Sequence, residues 1–173
     1  MENIEIEKVT LANIEQLQCI SRQTFIETFS EVNTESNLNK YLDESFNISR
    51  LTSEIQNLNS EFYFAVIDTK VVGYLKINYG DAQTELKNDK TLELERIYVL
   101  KEFHGKKVGQ ILFRKAFQIA EQRNVDFLWL GVWEKNHRAL KFYMKNGFTT
   151  FDKHAFKLGD DVQTDIMMKL QII

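Results

Sequence analysis

The sequence has no proline and a single cysteine, Cys19, among its 173 residues. Without proline, the chain must reverse direction through Gly, Asn, Asp and Ser, the other residues that favour turns. A lone cysteine cannot form an intrachain disulfide, and such sequences are typical of reducing compartments. We therefore expect an intracellular, cytoplasmic protein.

The sequence also lacks long apolar runs and any excess of positive charge. No stretch approaches the roughly 20 apolar residues that a helix needs to cross a bilayer, and the start, MENIEIEKVT, is acidic and alternating, unlike a signal peptide. A net charge of −3 gives no broad attraction to nucleic acid or to anionic membranes. The three histidines, His104, His137 and His154, do not have the spacing of a metal site. We expect no nucleic-acid partner, no membrane and no metal.

Hydrophobic residues make up 43% of the chain, which is enough for the core of one domain spanning residues 1–173. There is no internal repeat, low-complexity tract or linker-like segment. The period-2 and period-3.6 patterns predict the element order β-α-α-α-β-β-β-α-β-α-β-β. This order is typical of an α/β domain with a mixed sheet.

Local signals predict where several elements begin and end. Thr10 stands where an N-cap would, before a helical series that starts at Leu11. The segment DTK, residues 68–70, separates two β-branched and aromatic runs and predicts a hairpin. Gly147 follows a predicted helix over 136–146 and is expected to end it in the left-handed conformation.

The loop FHGKKVGQ, residues 103–110, lies between a predicted strand and a predicted helix. A helix N-terminus presents unpaired N–H groups and a partial positive charge, so it suits a pyrophosphate. Gly105 and Gly109 permit close approach of the backbone, and Lys106 and Lys107 add positive charge. The spacing is neither the Walker pattern nor the Rossmann fingerprint, and a solvated basic loop is the alternative.

The strand before this loop, LELERIYV, changes its pattern midway. Leu92 and Leu94 share one face, and Glu93 and Glu95 share the other. If this alternation continues past Arg96, the apolar residues Ile97 and Val99 fall on the same face as Glu93 and Glu95. Such a switch predicts a β-bulge or a newly covered face, with an unbroken strand buried on both sides as the alternative.

A second informative segment is LGVWEKNHRALKFYMKNGF, residues 130–148. Periodicity alone is compatible with a core-facing helix that carries two aromatic residues. However, Asn136, Ala139, Phe142, Tyr143 and the following NGF resemble the N-x-x-A-x-x-F-Y-x-x-x-G-F signature of the GNAT (Gcn5-related) N-acetyltransferases. The predicted element order also resembles the GNAT fold from end to end.

The resemblance is closer to one group within that family. LERIYV, WLGVWEKN, KLGDDVQTDIMM and the DAQ of residues 81–83 resemble the PaiA-type bacterial spermidine/spermine N-acetyltransferases. The resemblance implies a mixed, mostly antiparallel, twisted sheet of about seven strands flanked by helices, splayed between strands 4 and 5. It also implies acetyl-CoA as co-substrate, a small-molecule polyamine as acceptor, and a monomer or homodimer.

The resemblance further implies where acetyl-CoA binds. Backbone groups of the splayed strand would pair with the pantetheine, and the loop amides would hold the pyrophosphate. The implied cofactor-binding residues are Ile97, Tyr98, Val99, His104, Gly105, Lys106, Lys107, Val108, Gly109, Gln110, Asn136, Ala139, Phe142 and Tyr143.

The loop departs from the family pattern Gln/Arg-x-x-Gly-x-Gly/Ala at two of its three named positions. His104 takes the first position and Lys107 takes that of the first glycine, whereas Gly109 matches the last. A lysine with positive φ costs about 1–2 kcal/mol. Either Lys107 keeps helical angles, therefore, or the affinity for the cofactor is modestly reduced.

Acetyl transfer needs a neutral amine, a polarised thioester carbonyl and a proton for the departing thiolate. The resemblance makes Tyr143 the general acid. Glu95 is the candidate base, acting through water, and its alternative role is a structural carboxylate paired with Arg96 or Lys101. No covalent acetyl-enzyme is expected, because Cys19 lies on the first helix, away from both motifs.

Two further functions stay open beside polyamine acetylation. One is acetylation of a protein N-terminus or a lysine, which the same catalytic residues would serve. The other is a non-catalytic acyl-CoA-binding regulator, which has no need of a thiolate acid at Tyr143. Acidic residues expected near the substrate cleft could hold a polycation or could be solubilising charge; they are Glu27, Glu31, Glu35, Asp160, Asp161 and Asp165.

Overall fold

The computed structural model describes residues 3–173, and in this part of the chain the predicted order of strands and helices is confirmed. Residues 1 and 2 of the expected domain lie outside the described part. The elements are β1 (Glu5–Lys8), α1 (Ile14–Phe29), α2 (Glu35–Ser45), α3 (Ile48–Gln56), β2 (Ser60–Ile67), β3 (Lys70–Tyr79), β4 (Thr91–Val99), α4 (Val108–Gln122), β5 (Phe127–Trp133), α5 (His137–Lys145), β6 (Thr149–Leu158) and β7 (Asp161–Gln171).

The predicted helix ends are partly confirmed. Thr10 caps a 3-10 turn over Leu11–Asn13, and the α-helix itself begins one turn later than predicted, at Ile14. The Asn13 side chain accepts a hydrogen bond from the Thr10 N–H at 3.0 Å, which tightens this first turn. Gly147 has φ +91°, and the N–H of the next residue, Phe148, donates to the Tyr143 carbonyl at 3.1 Å. This is the Schellman arrangement that glycine favours after a helix.

The seven strands form one sheet in the order β1-β2-β3-β4-β5-β7-β6. Adjacent strands of this sheet run antiparallel, except that β4 and β5 are parallel. These two strands pair only from Thr91 to Glu93 and from Phe127 to Trp129. The sheet therefore opens between β4 and β5, as expected.

A β-bulge on β4 accounts for the change of pattern in its sequence. Arg96 pairs with Lys76 and Leu94 pairs with Ile77, so that Glu95 is the extra residue. The side chains of both Glu95 and Arg96 consequently lie on the face that α1, α2 and α3 cover, where Arg96 lies over the ring of Phe46. The alternative interpretation, an unbroken β4 strand, is therefore wrong.

Hydrophobic cores lie on both faces of the sheet. On one face, α4 packs with Leu112 and Ala116 fully buried, beside Tyr143 of α5. On the other face, α1, α2 and α3 pack with Leu17 and Leu51 fully buried. The opening between β4 and β5 therefore lies between two helical layers.

Among residues 3–173, no helix combines the length and the hydropathy required to cross a membrane.

Candidate active site

A cavity of about 310 Å³ lies where β4 and β5 diverge. It joins both predicted motifs, because its lining includes Ile97 and Tyr98 of β4 and Tyr143 of α5. It then continues past Glu93 to Asp165 on β7. One continuous space thus connects the family motif on α5 with a group of carboxylates.

The edge of β4 that faces β5 carries no strand partner beyond Glu93 in the described part of the chain. On its other edge, the Leu100 N–H donates to the Val72 carbonyl at 2.9 Å. Because peptide groups alternate along a strand, those of Ile97 and Val99 face the open edge. The same alternation turns the peptide groups of Tyr98 toward β3, so Tyr98 offers the cavity its side chain.

The loop after β4 contains two left-handed residues. Gly105 has φ +80°. Lys107, the N-cap of α4, has φ +67° and ψ +5°. Of the two alternatives for Lys107, helical angles are excluded, since the sharp turn from the 3-10 turn Lys101–Phe103 into α4 requires a left-handed residue there, and a modestly reduced affinity for the cofactor is the one that stays a prediction. The Lys107 side chain makes no capping hydrogen bond to α4, so the N–H groups of the first turn suit a ligand.

Nothing in the fold requires glycine at position 109. The residue lies inside α4, and an added Cβ would meet Val99 Cγ2 at 3.9 Å and Phe142 Cζ at 4.0 Å, which are ordinary contacts. Neither the backbone conformation nor the packing explains why residue 109 is a glycine. A glycine at such a position is consistent with close approach of a ligand to the backbone. The first turn of α4 therefore fits a pyrophosphate.

The other predicted loop residues fasten the loop to its neighbours. His104 Nε2 lies 2.8 Å from the Val99 carbonyl, and its Nδ1 contacts Arg138 of α5. Burial, together with the charge of Arg138, lowers the pKa of His104, which favours the neutral imidazole. Val108 is buried in the core, and Lys106 lies 4.8 Å from the ring centre of Phe103.

Helix α5 presents three of its four predicted residues to the cavity, namely Asn136, Ala139 and Tyr143. Asn136 caps the helix by accepting a hydrogen bond from the Ala139 N–H at 3.2 Å. Phe142 packs in the core instead, edge-on to Phe113. At the end of the helix, Gln110 Nε2 donates to Asn146 Oδ1 at 2.7 Å and so joins α4 to α5.

Tyr143 is 7% exposed and lines the cavity between α5 and the open edge of β4. Its ring packs against Phe142 and Phe148 at centroid distances of 5.4 and 5.5 Å. Burial raises the pKa of Tyr143. The hydroxyl is therefore protonated at neutral pH and can donate.

Four charged side chains lie where β4 bulges: Lys76 and Arg96 are buried, and Glu54 and Glu95 are partly buried. Arg96 Nη1 and Nη2 donate to the two oxygens of Glu54 on α3 at 3.0 and 3.3 Å. Lys76 Nζ lies 2.6 Å from Glu95 Oε2 and 3.3 Å from Glu54 Oε2. Arg96 Nη2 also lies 3.3 Å from Glu95 Oε1. Two carboxylates and two cations thus compensate one another's charge, and their ion pairs link α3 to β3 and β4.

These ion pairs set the proton affinity of Glu95. Burial favours the neutral acid, but the positive charges of Arg96 and Lys76 outweigh it and lower the pKa of Glu95 to about 2. The pairing with Arg96 that the sequence left open is therefore present. A carboxylate stabilised this strongly as an anion is a weak base.

Glu93, two residues earlier, has a different environment and is 3% exposed. It accepts hydrogen bonds from Asn78 Nδ2 at 3.0 Å, from the Thr84 N–H at 2.8 Å and from Thr84 Oγ1 at 2.6 Å. Burial, followed by the negative charge of Glu95, raises the pKa of Glu93 in spite of these bonds. Of the two glutamates, Glu93 is the stronger base.

The far wall of the cavity carries a histidine between two carboxylates. His154 Nδ1 lies 2.7 Å from Glu85 Oε1, and its Nε2 lies 3.4 Å from Asp165 Oδ2. The ring lies over Gly131 of β5, where a Cβ would come within 3.2 Å of His154 Cε1. The glycine therefore lets the imidazole cross β5 and reach Glu85.

Aromatic side chains from α1, α2, β5 and β6 form another wall. Tyr41 stacks on Phe25 with ring centres 4.4 Å apart and meets Phe156 at 5.9 Å. Phe29 meets Trp133 at 5.7 Å. All five line the cavity, so an acceptor would lie between aromatic faces and carboxylates.

Most of the acidic residues expected near the substrate lie elsewhere. Asp165 does line the cavity. Glu27 instead accepts a hydrogen bond from the Lys101 N–H at 2.8 Å. The other four are exposed and do not line it: Glu31, Glu35, Asp160 and Asp161.

The cavity carboxylates that sequence reasoning did not place at the substrate site are Glu85 and Glu93. The alternation of Glu93 with Glu95 was a usable signal, because it put both on one strand face. Nothing local marks Glu85, since its position depends on how the loop over 80–90 folds. Within residues 3–173, no group of three or more His, Cys, Asp or Glu side chains has the arrangement of a metal site.

Comparison with known proteins agrees with this geometry. Residues 23–148 match the acetyltransferase (GNAT) family. The chain belongs to the GNAT family. Members of this family use acetyl-CoA as the acetyl donor.

Three relatives describe where this GNAT protein lies in the family. It is 39% identical, over the whole length of both chains, to an uncharacterized N-acetyltransferase encoded in the pepI 3′ region of Lactobacillus delbrueckii subsp. lactis. It is 26% identical to a spermidine N(1)-acetyltransferase of Thermoplasma acidophilum, over 87% of this chain and 91% of the relative. The crystal structure of the PaiA N-acetyltransferase of T. acidophilum with coenzyme A superposes with a TM-score of 0.81 at 25% identity, covering 98% and 99% of the two chains.

Proposed function

We propose that this GNAT enzyme transfers the acetyl group of acetyl-CoA to a primary amine of a polyamine such as spermidine or spermine. The observation that carries the proposal is the continuity of the cavity, which runs from Tyr143 past Glu93 to Glu85 and Asp165. A polycation needs anionic groups at a distance from the reacting amine. The likeness to the spermidine N(1)-acetyltransferase supports the same substrate class.

Acetyl-CoA supplies a thioester, and the chain supplies the groups that hold it. The N–H and carbonyl of Ile97 and the N–H of Val99, on the open edge of β4, suit the amides of the pantetheine, whereas the Val99 carbonyl already contacts His104 Nε2 at 2.8 Å. The first-turn N–H groups of α4, at Val108, Gly109 and Gln110, suit the pyrophosphate.

Tyr143 acts as the general acid. Its hydroxyl lines the cavity, and burial keeps it protonated by raising its pKa. It donates this proton to the departing sulfur, so the leaving group departs as a neutral thiol.

Glu93 serves as the base, through water, in preference to the Glu95 predicted from the sequence. The most effective base has a pKa near the working pH. The pKa of Glu93 is raised, whereas that of Glu95 is about 2 because Arg96 and Lys76 hold it as an anion. The structural role of Glu95, which was the alternative interpretation, thus becomes the preferred one.

A second cationic group of the substrate lies toward Glu85 and Asp165, with the methylene chain along the aromatic wall. Asp165 is partly buried, whereas Glu85 is exposed at the mouth of the cavity. Aromatic faces such as those of Tyr41 and Phe156 attract alkylammonium groups.

The test is a turnover screen with acetyl-CoA. Spermidine and spermine should be acetylated, and an amino alcohol of matched length, which lacks the distal ammonium, should be a poor substrate. The KM for spermidine should rise with salt because screening weakens the distal contacts. Faster turnover of peptide N-termini or lysines would favour a protein acetyltransferase, and CoA binding without turnover of any amine would favour a regulator.

A further inference from the structure

One buried amide holds the loop over residues 80–90 in place. The Gln83 side chain is 1% exposed. Its Oε1 accepts from Thr91 Oγ1 and from Trp129 Nε1, both at 2.8 Å. Its Nε2 donates to the carbonyls of Gly80 and Asn88 at 3.3 and 2.8 Å. A single side chain therefore ties both ends of the loop to β4 and β5.

The fixed loop presents its next residue to Glu93. The Thr84 N–H donates to Glu93 Oε2 at 2.8 Å and the Thr84 hydroxyl to Oε1 at 2.6 Å, so both carboxylate oxygens are held by one residue. Thr84 and Glu93 line the cavity, whereas Gln83 does not. Gln83 reaches the lining through its chain neighbour Thr84 and through Trp129, whose indole it holds, and only the route through Thr84 changes the hydrogen bonding of Glu93.

We propose that Gln83 is a positioning residue that holds Thr84 against Glu93 and thereby fixes the direction and the hydrogen bonding of the base. The inference rests on the proposed role of Glu93. A purely structural role for Gln83 would be an anchor between β4 and β5, which would affect stability and leave the behaviour of Glu93 unchanged.

The sign of the effect follows from the contacts. Hydrogen bonds from Thr84 stabilise the carboxylate form of Glu93 and so oppose the rise in its pKa that burial and Glu95 cause. When they are lost, Glu93 should hold its proton to a higher pH. The acid limb of kcat/KM, which reports the free base, should then shift upward by about one pH unit.

Four variants separate the two roles. Thr84→Val deletes the hydroxyl bond and retains the shape, and Thr84→Ser restores the hydroxyl. Gln83→Met deletes all four anchoring bonds at nearly constant length. Asn88→Ala is the control for loss of other hydrogen bonds within the loop: it deletes the bonds of an exposed side chain to the Leu86 carbonyl and from the Lys90 N–H, and it retains the carbonyl that Gln83 contacts.

The charged groups near the site are Glu95 and Arg96 on β4, Lys76 on β3, Glu85 on the loop, and His154 and Asp165 on β6 and β7. The Gln83 anchor is intact in Thr84→Val and Thr84→Ser, so these groups keep their places and a shift reports on the Thr84 hydroxyl bond. In Gln83→Met the released loop carries Glu85 with it, so Thr84→Val is the variant that decides the role of the Thr84 bonds.

The measurements are the pH profile of kcat/KM with spermidine, the melting temperature, and the titration of the Glu93 carboxyl carbon by ¹³C NMR. Thr84→Val and Gln83→Met should shift both the acid limb and the carboxyl titration upward, while Thr84→Ser and Asn88→Ala should keep the wild-type midpoints. An unshifted midpoint in Thr84→Val would overturn the proposal. A lower melting temperature of Gln83→Met with an unshifted midpoint would also overturn it.

Failure of the proposed function would look different. If the wild-type protein turned over no amine, the kinetic measurement would be lost but the ¹³C titration would still test the hydrogen bonding of Glu93. An upward shift in Thr84→Val and Gln83→Met would then support the positioning of the carboxylate alone. An unshifted titration would overturn that as well.

Discussion

At the scale of single residues, burial acts in the same direction on the two groups proposed to move protons. It raises the pKa of both Tyr143 and Glu93. For a carboxylate, the rise moves the pKa toward neutrality and favours the role of a base. For a phenol, which is protonated at neutral pH in any case, the rise keeps the donor form and makes the hydroxyl a weaker acid. One physical effect therefore has different consequences for the two groups within one cavity.

Replacing Tyr143 with Phe should lower kcat about 10²–10⁴-fold, because the ring and its packing remain and only the donated proton is lost. CoA affinity and melting temperature should stay close to the wild-type values. Steady-state kinetics, calorimetric titration with CoA and thermal unfolding measure the three quantities. Tyr63→Phe is the matched control, since Tyr63 is equally buried, on β2, and does not line the catalytic cavity. A stable Tyr143→Phe variant with unchanged kcat would show that another group supplies the proton.

Exchanging each β4 glutamate for glutamine should separate the base from the ion-pair partner. Glu93→Gln should lower kcat/KM by about 10²-fold or more. In the wild type, activity should rise with pH through a midpoint above the ordinary carboxyl value of 4.5, because the base works deprotonated and its pKa is raised. Glu95→Gln should mainly destabilise the fold, by about 3–5 kcal/mol, since Arg96 and Lys76 lose their counter-charge. The reverse pattern would return the base role to Glu95.

At the scale of elements, the turn into α4 departs from the family pattern without losing its geometry. Lys107 adopts the left-handed conformation that glycine would adopt more easily. The consequence is strain in the loop, on the order of 1 kcal/mol, with the first-turn N–H groups of α4 still directed outward. Helix α4 can follow a lysine in place of the family's glycine, because the groups suited to bind phosphate are its backbone N–H groups and not a side chain.

Gly109 provides the test of this element. Gly109→Ala should fold normally, because its Cβ meets only ordinary contacts, whereas Gly109→Glu should reduce CoA affinity at least tenfold through steric and charge conflict with the pyrophosphate. Lys107→Gly should retain CoA affinity and raise the stability by about 1 kcal/mol. Calorimetric titration with CoA and chemical unfolding measure both effects. If Gly109→Glu bound CoA as well as the wild type, the pyrophosphate site would have to lie elsewhere.

At the scale of the whole molecule, the ion pairs among Glu54, Lys76, Glu95 and Arg96 join the helical face of the protein to the strand that opens. Removing one glutamate is costly, because the buried charges of Lys76 and Arg96 are then left without full compensation. Because these pairs lie at the bulge, global stability and the shape of the proposed acetyl-CoA site should depend on the same contacts.

Stability at low pH should report on this group. The pKa of folded Glu95 is about 2, below its ordinary value of 4.5. The stabilisation that this shift reflects is fully present above pH 4.5 and is lost as the pH falls toward 2, and it amounts to roughly 3 kcal/mol. Urea unfolding between pH 2 and pH 6 should therefore show a steeper loss of stability in the wild type than in Glu95→Gln. Equal slopes of stability against pH in the two proteins would contradict the lowered pKa of Glu95.

The sequence by itself determined the order of the elements, the bulge on β4 and the GNAT motif on α5. These features depend on residues that are close together in the sequence. Alternation predicts a strand, a 3.6-residue period predicts a helix, and Gly147 ends α5 because glycine readily adopts a positive φ. The open edge of β4 and the first turn of α4, which we propose bind acetyl-CoA, could be located from the sequence for the same reason. Their places depend on where a strand ends and a helix begins.

Tertiary structure alone decided which side chains share the cavity. Glu54 reaches Arg96 from another helix, and Glu85 reaches His154 only because Gly131 leaves room above β5. Glu93 and Glu95 look equivalent in the sequence, yet one lies among neutral donors and the other between two cations. Proton affinity is set by burial and by neighbours that are remote in sequence, so no local pattern could separate these two carboxylates.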